Sequence, residues 1–204
     1  MEAPAVMRES LEERARGLLA AGDTGSATTV VLRELGPELF GFLTGVLGDS
    51  DADEVFSRLS VRLWKSLAGF EGRCTLRTWA YVLARHELGR FRRGAKRYAE
   101  ARVPISELSD VLAAARHTTR STHATDKRVQ LTSLRDELPV EDRTLLILRV
   151  DRDLAWDEIA LAFADNPEAF SDEDRKRESA RLRKRFQLVK QRLVARMRAA
   201  APPA

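Results

Sequence analysis

Aromatic and basic side chains alternate along residues 77–98. The aromatic members are Trp79, Tyr81, Phe91 and Tyr98, and the basic members are Arg77, Arg85, Arg90, Arg92 and Arg93. Unstacked bases bind on aromatic rings, while neighbouring cations hold the phosphates. The segment is therefore a candidate site for unstacked bases. The helical spacing of Trp79 with Leu76 and Leu83 fits a core position equally well.

Positive charge is concentrated in two segments of an otherwise acidic chain. Residues 85–102 carry a net charge of +5 and residues 175–198 carry +10, whereas the whole chain has only +4. The remaining residues therefore carry −11. Each basic segment alone also fits a solvated helix face. Two such segments on an acidic chain indicate two contacts with a polyanion, because clustered Lys and Arg neutralise phosphates.

The second basic segment follows a short helical pattern and a loop, which is the layout of a helix-turn-helix. The last helix is predicted to carry an apolar stripe of Leu182, Phe186, Val189, Leu193 and Met197. Four basic residues lie off this stripe and are predicted to face DNA: Arg177, Arg181, Lys184 and Arg185. Later basic residues are expected to touch only phosphates: Lys190, Arg192, Arg196 and Arg198.

Signals for enzymatic chemistry are absent from the sequence. There is no Gly-rich phosphate loop and no pairing of a nucleophile with a base, and the single Cys74 and three histidines cannot form a zinc site. Asp51, Asp53 and Glu54 are adjacent, but successive helical positions point in different directions, which suits a helix start and an interaction surface rather than a metal. We expect a non-enzyme without cofactor or metal.

Apolar residues recur at helical spacing throughout the chain, and no alternating β-branched run is present, so the predicted fold is all-α. Helices are predicted at about 8–21, 27–47, 52–67, 76–93, 140–150, 155–163 and 172–198. Gly36 and Pro37 predict a kink or two abutting helices. Predicted N-caps are Asp or Ser near residue 50, Thr75, Asp153 or its neighbours, and Ser171 paired with Asp174.

Two small helical domains are expected, at residues 1–100 and 133–200. Between them, residues 101–132 are polar and weakly periodic, which is typical of a flexible linker. No segment is long and apolar enough for a membrane helix, and the N-terminus lacks the pattern of a signal peptide. These features predict a soluble, unexported, cytoplasmic protein.

Residues 51–93 resemble region 2 of the sigma-70 family of bacterial RNA polymerase initiation factors. The matching features are the acidic start and closing Leu-Trp of DADEVFSRLSVRLWKSL, and the Phe-x-Gly, Leu-Arg-Thr-Trp, Ala-Arg and Arg-rich ending of FEGRCTLRTWAYVLARHELGRFRR. The segment LPVEDRTLLILRVDRDLAWDEIALAFA resembles the start of region 4. The resemblance is to the small extracytoplasmic-function (ECF) group, which keeps only these two regions.

The resemblance implies two binding surfaces on the first domain and a third on the second. Core RNA polymerase would be bound by Asp51, Asp53, Glu54, Arg58, Arg62 and Trp64. The helix of residues 76–93, including His86, with the loop of residues 70–75, would engage and help melt the minus-ten element of promoter DNA. The second domain, a helix-turn-helix, would bind the minus-thirty-five element. An anti-sigma factor is a further possible partner.

Three positions depart from the family pattern. Ser57 and Ser60 stand where Gln and Phe are usual, and His86 stands where Asn is usual. The segment between Ile159 and Leu182 is also longer than in the family, with an insertion around residues 166–173. Two other readings stay open: a helix-turn-helix regulator that acts without polymerase, and a basic structural or RNA-binding helical protein.

Overall fold

The computed structural model describes residues 3–94, 113–114 and 135–200, with side chains for 11–94, 113–114 and 135–198. Within these ranges the regular structure is helical and contains no strand, which confirms the all-α prediction. The chain divides into two compact units, at residues 1–121 and 122–204. The predicted linker lies outside the described residues except for positions 113–114. In the described part of the chain, no helix is long and apolar enough to cross a membrane.

Among the described residues of the first unit there are four α-helices and a short turn. Their bounds are Ala3–Ala20 (α1), Thr24–Leu47 (α2), Asp49–Ser66 (α3), the 3₁₀ turn Leu67–Gly69, and Leu76–Arg92 (α4). Helix α2 packs against α1, α3 and α4. The predicted apolar stripes form the core, with edge-to-face contacts between Phe40 and Phe56 and between Phe42 and Tyr81.

Helix α2 runs without interruption through Gly36 and Pro37. The prediction of two abutting helices is therefore wrong. Proline removes one backbone donor from a helix interior, but the buried stripe continues on both sides of it through Leu35 and Leu39. Packing of this stripe outweighs the lost hydrogen bond, because most helix stability in a folded protein comes from burial of an apolar face.

Gly48 alone forms the junction between α2 and α3. Its N–H closes α2 on the carbonyl of Thr44 at 2.9 Å, and the same residue is the N-cap of α3, with φ of +83°. The predicted side-chain cap from Asp or Ser is wrong at this position. Glycine reaches this backbone conformation without a Cβ clash, so the chain turns between two helices without a loop. Asp49 and Asp51 occupy the first turn of α3, where the helix dipole favours negative charge.

The described part of the second unit, residues 135–200, contains three α-helices. Their bounds are Val140–Leu146 (α5), extended by the π-helical turn Ile147–Asp151, Trp156–Phe163 (α6), and Asp172–Ala200 (α7), with a 3₁₀ turn at Pro167–Ala169 before α7. Buried side chains from all three helices form the core. They are Leu145, Leu148, Ile159, Phe163, Leu182, Phe186 and Val189.

The caps of the second unit are partly as predicted. Ser171 and Asp174 form the expected pair: the Asp174 N–H donates to Ser171 Oγ at 3.1 Å, and Ser171 Oγ donates to the Asp174 carboxylate at 2.6 Å. This hydroxyl holds the pKa of Asp174 below its usual value. Asp153 is not a cap; it takes the positive φ of the turn, and the N-cap of α6 is Ala155.

The apolar stripe of α7 is buried only over its middle. Leu182 and Val189 are buried, but Met197, predicted as part of the stripe, is 48% exposed. That prediction is wrong because α7 has 29 residues and extends beyond the short helices against which it packs, and Met197 lies in that extension.

Candidate partner-binding and nucleic-acid surfaces

The start of α3 presents acidic side chains to solvent. Asp51 and Glu54 are exposed, and Asp53 is half-buried. Glu54 forms an ion pair with Arg58 one turn later. The guanidinium of Arg58 also lies over the ring of Phe91 in α4, 5.6 Å from its centroid. Of the predicted polymerase-binding residues on α3, the two exposed acids are therefore the most accessible.

The two serines that depart from the family pattern point in different directions. Ser60 is 2% exposed, and its hydroxyl donates to the carbonyl of Phe56. Ser57 is exposed, and its hydroxyl donates to the carbonyl of Asp53. Burial removes Ser60 from any partner surface in this structure, whereas Ser57 lies on the same helix as the exposed acids.

The C-terminal half of α3 faces both solvent and α4. Trp64 is half-buried. Arg62 donates to Glu87 Oε1 of α4 at 3.2 Å, and Arg90 donates to the same oxygen at 3.4 Å. One predicted polymerase-binding residue and one predicted DNA-binding residue therefore share one acidic partner.

The N-terminus of α4 is held from two sides. Thr75 is the N-cap, as predicted, and its hydroxyl accepts the Thr78 N–H at 3.0 Å. The Leu76 N–H donates to the carboxylate of Glu12 in α1 at 2.8 Å. Just before this end lies Phe70, whose ring packs against half-buried Trp79 with centroids 5.2 Å apart. The aromatic pair thus lies beside a helix start that is fixed by two acceptors.

Two of the residues predicted to contact DNA are buried. Tyr81 has no exposed surface, and Arg77 is 9% exposed. Glu38 of α2 accepts hydrogen bonds from Arg77 Nε and from the Tyr81 hydroxyl, both at 2.8 Å. Neither side chain is available to a base or phosphate in this structure, so we assign both to the packing of α4 on α2. Sequence spacing missed this because Glu38 lies about 40 residues away, in another helix.

The other basic and aromatic residues predicted on α4 are half-buried or exposed. Arg85, His86, Arg90 and Phe91 are half-buried, and Arg92 and Arg93 are exposed. Tyr98 lies outside the described residues. The described end of α4 is therefore a basic surface with the Phe91 ring beside it.

The four cations predicted on α7 have different surroundings. Arg177 pairs with Asp174 at 3.5 Å, and Arg181 Nε donates to Glu178 at 2.7 Å. Lys184 is exposed. Arg185 Nε donates to Asp142 of α5 at 2.6 Å, and this carboxylate is 5% exposed. Arg185 therefore braces α7 against α5, whereas the other three lie on the outer part of the helix.

A groove of about 700 Å³ between α6, α7 and the π-helical turn gathers cations that the sequence reasoning missed. Arg149 and Arg183 both lie against the Trp156 ring, with their guanidinium carbons 5.3 and 5.8 Å from its centroid. The Ser179 hydroxyl donates to the Trp156 carbonyl at 3.0 Å. The groove is lined by Arg149, Ala155, Trp156, Asp157, Asp172, Arg175, Lys176, Ser179 and Arg183.

Part of this groove was detectable in the sequence. Arg175, Ser179 and Arg183 are spaced at four residues, which puts them on one helix face. The contribution of Arg149 depends on the turn after α5, so only the folded chain brings it beside Trp156. In the described residues, no group of three His, Cys, Asp or Glu side chains could hold a metal ion.

Residues 31–98 match the family model for Sigma-70 region 2, which covers 68 of the 204 residues and most of the helical bundle of the first unit. The chain therefore contains a sigma-70 region 2 domain, the domain of sigma-70 family sigma factors. Sigma factors are non-enzymatic subunits of RNA polymerase that act in transcription initiation. The match does not extend to the second unit. No curated protein matches the chain.

Proposed function

We propose that this protein is a sigma factor of the ECF group, which binds core RNA polymerase and directs it to promoters. The first unit engages polymerase through α3 and helps to melt the minus-ten element through α4. The second unit binds the minus-thirty-five element as duplex DNA. The observation that carries the proposal is the match of residues 31–98 to sigma-70 region 2. Such a factor works where its polymerase is, in the cytoplasm.

The polymerase surface is proposed on α3. Asp51 and Glu54 present exposed carboxylates at its start, with half-buried Asp53 between them. Arg58, Arg62 and Trp64 follow along the helix. Exposed charges of one sign raise the rate of encounter with a surface of the opposite sign and make the association specific for that surface. Trp64 adds apolar area, and aromatic residues are enriched among the residues that dominate interface affinity.

The melting surface is proposed around Phe70, Trp79 and the basic end of α4. Phe70 and Trp79 are both half-buried, so each ring keeps one part in the fold and presents another to a base. Phosphate contacts are assigned to Arg85, Arg90, Arg92 and Arg93, with His86 beside them. Arg77 and Tyr81 support this surface from inside the bundle.

Duplex binding by the second unit is proposed to use α7 and the groove beside it. Arg177, Arg181 and Lys184 face outward. Arg149, Arg175, Lys176 and Arg183 line the groove together with Trp156. A phosphate in this groove would meet several guanidiniums, the side chains best suited to bidentate phosphate binding. The carboxylates of Asp157 and Asp172, which also line the groove, would limit how closely a second phosphate approaches.

Charge reversal at the start of α3 tests the polymerase surface. Asp51→Lys with Glu54→Lys should weaken binding to purified core polymerase by at least about tenfold, because like charges placed opposite each other cost several kcal/mol. Binding is measured by fluorescence anisotropy of the labelled full-length chain. The matched control is Asp165→Lys with Glu168→Lys, two acidic residues at the surface of the second unit. Equal weakening by both double variants would contradict the assignment of α3.

A further inference from the structure

Glu87 is a buried carboxylate between two arginines that belong to different surfaces. Its side chain is 4% exposed, while those of Arg62 on α3 and Arg90 on α4 are 36% and 37% exposed. Both arginines reach inward to the same oxygen, Oε1. Arg62 belongs to the proposed polymerase surface and Arg90 to the proposed DNA surface.

A buried carboxylate must keep a cationic partner, because an unpaired buried charge is strongly unfavourable. With two cations against one carboxylate, either arginine can leave Glu87 without stranding it. When one leaves, the full charge of Glu87 acts on the other and holds it more tightly. Buried Asp142 also lies between two arginines, Arg185 and Arg192. The cluster at Glu87 differs because its two arginines belong to two different proposed surfaces.

We propose that Glu87 is a shared counter-ion that restrains Arg90 from phosphate and makes this restraint depend on Arg62. Glu87 is thus a positioning residue, which acts on DNA through Arg90 and on polymerase through Arg62. The inference rests on the proposed function, because it takes α3 as the polymerase surface and α4 as the DNA surface. It adds that the two surfaces are linked through one side chain inside the bundle.

The sign of the effect separates this role from a purely structural one. Glu87→Gln removes the charge that restrains Arg90, so DNA binding should become stronger. If Glu87 only stabilised the bundle, the same substitution would weaken binding or leave it unchanged. Arg62→Gln should weaken DNA binding. Without Arg62, the whole charge of Glu87 acts on Arg90 and holds it away from phosphate more tightly.

The experiment uses holoenzyme reconstituted at saturating core polymerase, with a mixed-sequence forked DNA that carries a single-stranded extension. Mixed sequence suffices because phosphate contacts do not depend on base sequence. Glu87→Gln should raise the affinity of holoenzyme for this DNA about twofold to fivefold. This factor corresponds to the free energy of one partly exposed ion pair. It should also steepen the slope of log affinity against log salt concentration by about 0.7, which is the change expected for one additional phosphate contact on a single strand.

Arg62→Gln is tested in the free chain at low salt, where no polymerase engages Arg62. There it should lower the affinity of the otherwise wild-type protein for the same DNA and have no effect in a chain that already carries Glu87→Gln.

The matched control is Glu34→Gln, which also removes one negative charge and one pair between helices. An equal gain from Glu34→Gln would overturn the inference. So would an effect of Arg62→Gln that is the same with and without Glu87→Gln.

Unfolding of the free full-length chain supplies a readout that does not depend on polymerase or DNA. Double-mutant cycles between Glu87 and each arginine should show that both pairs interact. If both interactions are present but the wild-type holoenzyme binds no DNA, the proposed function has failed and the inference falls with it. If the holoenzyme binds DNA but the cycles show no interaction, only the inference has failed.

Discussion

Arginines that look equivalent in the sequence take different roles because of their partners. Arg77 and Arg185 were predicted to contact DNA from their positions on helices, yet each is committed to an acidic residue of another helix, Glu38 or Asp142. Helical spacing shows which face a residue occupies. It does not show which distant carboxylate the fold brings to that face, and this is why the predicted site contained both surface and supporting residues.

The contrast between Arg185 and its neighbour Lys184 gives a stability prediction. Arg185→Ala should lower the free energy of unfolding by about 1 to 3 kcal/mol, because buried Asp142 loses its closer cation and, among the described residues, keeps Arg192 at 3.5 Å. Lys184→Ala should change it by less than about 0.5 kcal/mol, as is usual for an exposed substitution. Urea unfolding of the full-length chain measures both. Equal losses in the two variants would show that the Asp142 pair does not brace this unit.

At the scale of elements, the backbone N–H groups at the start of helix α4 are held by one local acceptor and one distant acceptor. The local one, the Thr75 cap, was predictable from the residue type before an apolar run. The distant one, Glu12 of α1 on the Leu76 N–H, was not predictable, because it joins residues 64 positions apart. Helix α1 lies outside the residues that match sigma-70 region 2, yet it fixes the end of the helix that region 2 is proposed to use on DNA.

Glu12→Ala should loosen the start of α4. Loss of a charged acceptor at a helix N-terminus costs about 0.5 to 2 kcal/mol. Hydrogen exchange of the backbone amides of residues 76–78 should accelerate, while amides in the middle of α2 stay protected. Glu13→Ala is the control, because Glu13 is exposed on the same helix. The same acceleration in the Glu13 variant would rule out capping by Glu12.

The other helix boundaries show what local patterns can and cannot establish. The apolar stripes of α2, α3 and α4 could be predicted from the sequence, because burial follows helical periodicity. The observed core contains nearly all of their members. The junction at Gly48 was missed because several Asp and Ser residues beside it are good caps in isolation. A positive φ at one glycine made them unnecessary.

At the scale of the whole molecule, two basic segments on an acidic chain predicted two contacts with a polyanion. The two compact units each carry one of these segments. The first unit has an acidic helix start and a basic helix end within one bundle, which agrees with a factor that binds a protein and DNA at once. The match to sigma-70 region 2 does not extend to the second unit. Its groove could be located only in part from the sequence, because Arg149 comes beside Trp156 only in the folded chain.

The central claim is that this chain gives core RNA polymerase its promoter specificity. The most direct test is run-off transcription by purified core polymerase on fragmented genomic DNA, with transcript starts determined by sequencing. We predict discrete starts that appear only when the protein is added, that share an upstream sequence element, and that are lost with Asp51→Lys and Glu54→Lys. If core polymerase gives the same transcripts with and without the protein, while the protein alone binds specific duplex sites, it is a DNA-binding regulator that acts without polymerase, and the account is contradicted.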